Sequence, residues 1–167
     1  MTALPSVAAV RADLPAVLTR FRTGDTHAFS FGDGVPEAVL LTYDEFEDLG
    51  GETKFAVGDE VLEPAALAAQ LPALLTTLRA GSAIPVVWGT DGEPEAVLLS
   101  TSAYRTLRGD DEPPAGVPDD PTQRTYPTEP LPTSRPFDLD EFAEGDPFTQ
   151  ELLREIRADR QSPDDKR

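Results

Sequence analysis

The hexapeptide PEAVLL occupies residues 36–41 and recurs, letter for letter, at residues 94–99. An internal repeat dictates architecture before any single element does, so it is tested first. Two buried strands built from common residues could coincide over six letters, but they would not stay aligned on both sides. Upstream, LPAVLTRFRTG (14–24) aligns with LPALLTTLRAG (71–81), matching at Leu14/Leu71, Pro15/Pro72, Ala16/Ala73, Leu18/Leu75, Thr19/Thr76, Arg22/Arg79 and Gly24/Gly81. Gly32 aligns with Gly89; one residue is then inserted in the second turn, and Gly34 aligns with Gly92. Downstream, TYDEFEDL (42–49) aligns with STSAYRTL (100–107). The chain therefore reads as two copies of one module, residues 1–54 and 55–109.

Each copy follows the same order of elements. A helical stretch comes first, 6–23 or 64–80, with apolar residues at helical spacing: Val7, Val10, Leu14, Val17, Leu18 and Phe21, then Leu67, Leu71, Leu74, Leu75 and Leu78. Pro15 and Pro72 interrupt these stretches; proline lacks the N–H donor and crowds the preceding turn, so each stretch is expected to break or kink there. Gly24 and Gly81 are C-terminal stops. A hairpin follows, with HAFSF (27–31) or IPVVW (84–88) as first strand and a glycine-bearing turn. EAVLL returns as an apolar strand buried on both faces. A short helix then starts at Thr42 or Asp44 in copy one and at Ser100 or Ser102 in copy two, and Phe46, Leu49, Tyr104 and Leu107 are expected in the core. FAVGDEVL (55–62) is read as a strand leading into copy two; the N-terminal TALPSV does the same less well, because Pro5 interrupts it.

The texture changes at residue 110. Eight of the 17 prolines fall between 110 and 136, which reads as an extended, disordered linker. Apolar residues return among acids at 137–160, FDLDEFAEGDPFTQELLREIRADR, within a tail of 137–167. Asp146 and Pro147 form a helix start, with aspartate as cap and proline as first residue, so a helix is expected over about 147–160. Phe148, Leu152 and Ile156 fall on one stripe, with Leu153 beside it. So short a helix is marginal alone in water and needs a surface against which to bury its stripe. The candidate partner-binding residues are Phe137, Leu139, Phe142, Phe148, Leu152, Leu153 and Ile156.

Composition narrows the chemistry. The net charge is −17, with seven Lys/Arg against 15 Asp/Glu in residues 1–109 and seven against 16 in the remainder. Such a chain repels nucleic acid and anionic surfaces at long range and attracts basic partners. There is no cysteine, which removes disulfides, thiolate metal sites and thiol catalysis, and the one histidine, His27, aligns with Ile84. Neither a histidine-based triad nor a two-histidine metal site can be assembled, so no enzyme, metal or cofactor is expected. Neither a membrane-spanning run nor a signal peptide is read, and a cytoplasmic location is expected. Arg11, Arg20 and Arg22 are the only basic group on one element, read either as weak phosphate contacts or as a solvated helix face.

The succession VRADLPAVLTRFRTG, hairpin, PEAVLLTYDEFEDL resembles the N-terminal domain of the Phd/YefM-family antitoxins. In that family a helical R-x-x-L segment precedes a hairpin whose second strand reads P-x-A-V-L, followed by a helix bearing an aromatic and a leucine. The matching residues here are Arg11 and Leu14; Pro36, Ala38, Val39 and Leu40; then Phe46 and Leu49. Copy two matches with Leu71; Pro94, Ala96, Val97 and Leu98; then Tyr104 and Leu107. The resemblance implies an α/β (α+β) protein whose two tandem modules pair inside one chain as a pseudo-dimer. It implies a type II toxin–antitoxin antitoxin whose C-terminal segment neutralises a small, basic toxin of the RelE/YoeB or Doc type. It further implies operator DNA binding, expected to be weak because the equivalent of Arg11 in copy two is Ala68. The other classes the sequence leaves open are a DNA-binding transcriptional regulator and a scaffold module without a toxin.

Overall fold

Each PEAVLL stretch becomes a central strand of one sheet. In the computed structural model, which describes residues 3–123 and 143–161, the chain divides into two compact units, Met1–Thr125 and Tyr126–Arg167. The first is an α+β body around a four-stranded antiparallel sheet. Its strands are β1 (Ala28–Phe31), β2 (Ala38–Thr42), β3 (Val86–Thr90) and β4 (Glu93–Ser100), in the spatial order β1-β2-β4-β3. The two hairpins meet through β2 and β4, where Val39 pairs with Leu99, Leu40 with Leu98 and Leu41 with Val97. Leu40 and Leu98 are counterparts in the repeat, so the register is symmetric about that pair.

Both faces of the central strands are covered, which is why they are apolar at every position. Ala38, Leu40, Ala96 and Leu98 lie on one face with Phe31 and Trp88. There they pack against α1 (Val7–Ala12), α2 (Leu14–Arg22) and α5 (Pro64–Arg79). Val39, Leu41, Val97 and Leu99 lie on the other, against Phe46 of α3 (Tyr43–Asp48) and Ala103, Tyr104 and Leu107 of α6 (Thr101–Arg108). The short α4 (Gly51–Lys54) follows α3. Local signals set the boundaries. Thr42 and Ser100 accept the backbone N–H of Glu45 and Ala103 and so cap α3 and α6. Gly24 and Gly81, at φ +75° and +96°, close α2 and α5. The β3–β4 turn places Asp91 and Gly92 at positive φ, the geometry a two-residue hairpin loop demands.

The two helical stretches differ at their prolines. Copy one breaks: α1 stops at Ala12, Asp13 caps the next helix by accepting the N–H of Ala16, and Pro15 sits in the first turn of α2. Copy two does not break; α5 runs through Pro72. The position of Asp13 is taken there by Gln70, which cannot cap in the same way, and the surrounding PAALAAQL is rich in helix formers. The missing donor of Pro72 frees the carbonyl of Ala68, one turn back, and the Arg11 Nε donates to that oxygen at 2.8 Å. A side chain of copy one thus repairs the helix of copy two.

Two further differences concern the connections. FAVGDEVL contributes a single bridge rather than a strand: Leu62 donates to the Val87 carbonyl and accepts from Gly89. At the equivalent place in copy one, Pro5 accepts from Gly32 but has no N–H to donate. Residues 110–136 read as a disordered linker, yet their described part, 110–123, lies along the body. Ser102 donates to Glu112, Arg105 to the Asp119 carbonyl and Ser30 to Asp120. Few of these residues are apolar; polar bonds, which composition does not reveal, hold the segment.

The second unit contains α7 (Pro147–Gln161). Among the described residues no helix is long and apolar enough to cross a membrane.

Candidate interaction surfaces

The tail helix is built as its first residues suggest. Asp146 caps α7: its carboxylate accepts the Phe148 N–H at 3.2 Å and the Thr149 hydroxyl. The Thr149 hydrogen bond, with the backbone N–H bonds behind it, holds the Asp146 carboxyl below its ordinary value. Phe148, Leu152 and Ile156 are 76%, 46% and 44% exposed, and Leu153 beside them is half-buried. Isolated exposed apolar residues are ordinary; three in one row on successive turns of a capped helix form an exposed apolar face. Glu151 and Arg154 pair across the exposed surface at 3.4 Å. Phe137, Leu139 and Phe142, also expected at this surface, lie outside the described residues.

The three arginines considered for nucleic acid are all engaged within the body. Arg11 bonds the Ala68 carbonyl. Arg20 lies over the Phe29 ring, 5.3 Å from its centroid. Arg22 grips Glu95, its Nη2 within 2.7 Å of both carboxylate oxygens, and also reaches Thr90 at 2.9 Å. Arg20 and Arg22 share α2, whereas Arg11 stands on α1. Each therefore has an intramolecular role that the sequence reading did not anticipate.

The grip of Arg22 on Glu95 has a mirror image. Arg79, the counterpart of Arg22, donates to Glu37, the counterpart of Glu95. Each copy's helix thus holds the other copy's PEAVLL strand. Both pairs recur in the aligned sequence, so the signal was present: a charged residue that survives in both copies beside a buried strand. Two clefts flank these clasps. The one at Arg79 and Glu37 has a volume of about 540 Å³, and its counterpart at Arg22 and Glu95 about 200 Å³. Leu78 and Ser102 line the larger cleft where copy one places the bulkier Phe21 and Asp44 in the smaller.

The other perturbed groups are structural too. The Tyr43 hydroxyl donates to Glu52 at 2.5 Å, and that bond raises its pKa to about 12. Tyr104 is raised by burial, and its bond with Arg108 raises the guanidinium in turn. Among the described residues no three His, Asp or Glu side chains are grouped to hold a metal ion. His27 is exposed, and its carbonyl accepts from Thr42. Comparison with protein-family models, with curated proteins and with solved structures gives no match.

Proposed function

We propose that this chain is the antitoxin of a type II toxin–antitoxin pair, acting in the cytoplasm. On this reading two tandem Phd/YefM-like modules form an intramolecular pseudo-dimer, and the tail captures a small basic toxin of the RelE/YoeB or Doc type. The observation that carries the reading is the exposed apolar face of α7: Phe148, Leu152 and Ile156 aligned on a helix with its own cap. An amphipathic helix of this kind binds by laying its apolar row into a groove, and the acidic chain suits a basic partner. The symmetric register about Leu40 and Leu98 and the reciprocal arginine clasps support the pseudo-dimer. Operator binding by the free protein is weak on this reading, because Arg11, Arg20 and Arg22 are spent inside the body and copy two has alanine at 68.

The test is a pull-down from native lysate with the full chain and with a version ending at Pro136, read by mass spectrometry. A small basic protein retained only by the full chain is then expressed alone. Growth arrest relieved by the full chain and not by the shortened one supports the proposal. Growth unaffected by every protein so captured would sink it.

A further inference from the structure

The two edges of the sheet are protected differently. A sheet edge presents unpaired N–H and C=O groups that can template another strand, and proteins blunt such edges with proline, charge or a covering segment. On the β3 side, Pro85 removes one donor just before the strand, and Leu62 bridges Val87 and Gly89. The β1 side lacks the proline: the counterpart of Pro85 is Ala28, which keeps its N–H. Backbone groups alternate along a strand. Gly32 donates outward to Pro5 and Ser30 outward to Thr122, so Ala28 also faces out. The stretch HAFSFG (27–32) has no charge and no proline and is rich in aromatic residues, the composition that favours strand addition.

Residues 110–123 lie where that edge would otherwise be open. At one end Arg105, 4% exposed, donates to the Asp119 carbonyl at 3.0 Å and lies 3.7 Å from the carboxylates of Glu112 and Asp119. Among the described residues its Nε has no hydrogen-bond partner. A buried guanidinium so incompletely bonded is costly, and the segment supplies its compensating charge. The counterpart of Arg105 in copy one, Glu47, is exposed. At the other end Asp120 accepts the Ser30 hydroxyl at 2.6 Å and Thr122 Oγ1 accepts the Ser30 N–H at 3.2 Å. The segment therefore ties α6 of copy two to β1 of copy one.

We propose that residues 110–123 are a latched cover of the β1 edge, and that once the latch is undone β1 pairs antiparallel with β1 of a second copy. An antiparallel pairing of a strand with itself is two-fold symmetric, the commonest symmetry of a self-complementary contact, and the chain already uses it between β2 and β4. The partner is a second copy rather than a basic protein, because the HAFSFG edge offers outward backbone groups and no charge to attract a basic surface. The −17 net charge opposes self-association at long range, so the measurement is made at moderate salt.

The test uses the full chain. Asp120→Ala with Thr122→Ala removes both groups that bond Ser30. At concentrations low enough to keep the variant monomeric, amide exchange at Ser30 is expected to accelerate roughly tenfold, as loss of an ordinary hydrogen bond allows. Sedimentation velocity is expected to show the wild type as a monomer and the double variant as a concentration-dependent dimer. Adding Ala28→Pro, which copies the proline of the β3 side, is expected to restore the monomer without changing the circular dichroism spectrum. A wild type already dimeric would overturn the proposal. So would unaltered exchange at Ser30, a double variant that stays monomeric with fast exchange, or a dimer that persists with Ala28→Pro.

Discussion

Arg22 of α2 and Glu95 of β4 are joined by a two-oxygen clasp at 2.7 Å, and with the copies exchanged Arg79 grips Glu37 through one carboxylate oxygen, Oε2. The clasps sit at equivalent points on either side of the β2–β4 seam. Each ties a helix of one copy to the PEAVLL strand of the other, so the pair holds the two modules in one register. Both arginine side chains are 52% exposed, which screens the charge and limits what each clasp adds. Arg22→Ala is therefore expected to cost about 1 kcal/mol in urea unfolding. A double-mutant cycle with Glu95→Ala should recover most of that as coupling, and independent costs for the two residues would show the clasp to be idle.

Arg11 and Ala68 make a sharper case. The carbonyl that Pro72 orphans is satisfied by Arg11 at a solvent-reachable place, so Arg11→Met should destabilise by about 0.5–1 kcal/mol through loss of that hydrogen bond. Pro72→Ala returns an N–H to α5 and gives that carbonyl a helical partner. In the Pro72→Ala background Arg11→Met should then cost much less. Equal costs in the two backgrounds, measured by denaturant midpoint, would remove the repair role.

Gly32 and Gly89 occupy equivalent places at the ends of β1 and β3. A Cβ at Gly32 would stand 2.0 Å from the Val35 carbonyl oxygen, and one at Gly89 would stand 1.9 Å from that of Glu93. Backbone cannot yield as a flexible side chain can, so either glycine-to-alanine change should cost about 2–3 kcal/mol. Gly58→Ala, which meets nothing within 4 Å and needs no positive φ, should leave the midpoint unchanged within error. Thermal melts of the three variants decide the matter.

The face of α7 separates binding from stability. Phe148→Ala, Leu152→Ala and Ile156→Ala remove side chains that are already exposed, so the melting temperature of the free chain should hold. Affinity for the captured partner should fall, with Phe148→Ala alone costing at least about tenfold if the ring is an anchor. A titration in which all three variants bind like the wild type would move the contact elsewhere in the chain.

Alkaline pH probes the bond between Tyr43 and Glu52. The hydrogen bond to Glu52 pushes the phenol up to about 12, above its ordinary value of 10.0. A raised folded-state pKa adds stability that is whole below pH 10.0 and is lost as pH rises toward 12, because the folded state then binds the extra proton. Burial of Tyr104 adds in the same direction. Tyr43→Phe should flatten the decline in unfolding midpoint over that window; an unchanged profile would place the alkaline sensitivity elsewhere.

Much of the body was legible in the letters because the repeat is a strong constraint and its punctuation is local. Doubled PEAVLL announced two central strands, and their unbroken apolar character announced burial on both faces. The hairpin glycines, the stops at Gly24 and Gly81 and the start of α7 at Asp146 and Pro147 depend on a residue's own conformational preferences, which any chain displays in sequence. The intramolecular partners of the arginines were not legible, for the complementary reason. Exposed charge on a helix looks the same whether it meets water, phosphate or a carboxylate 73 residues away, as Arg22 does.

By itself, then, the sequence determined the modules, their strands and turns, and a capped tail helix with one apolar row, since each rests on spacing and on residues' local conformational preferences. Tertiary structure alone decided that α5 survives Pro72, that Arg11 repairs it from 57 residues away, that the clasps cross between copies, and that residues 110–123 close the β1 edge by bonding Ser30 some 90 positions distant. These are partner choices among distant groups, and hydrogen bonds and ion pairs leave no period in a sequence: their energy depends on which groups the fold brings within about 3 Å.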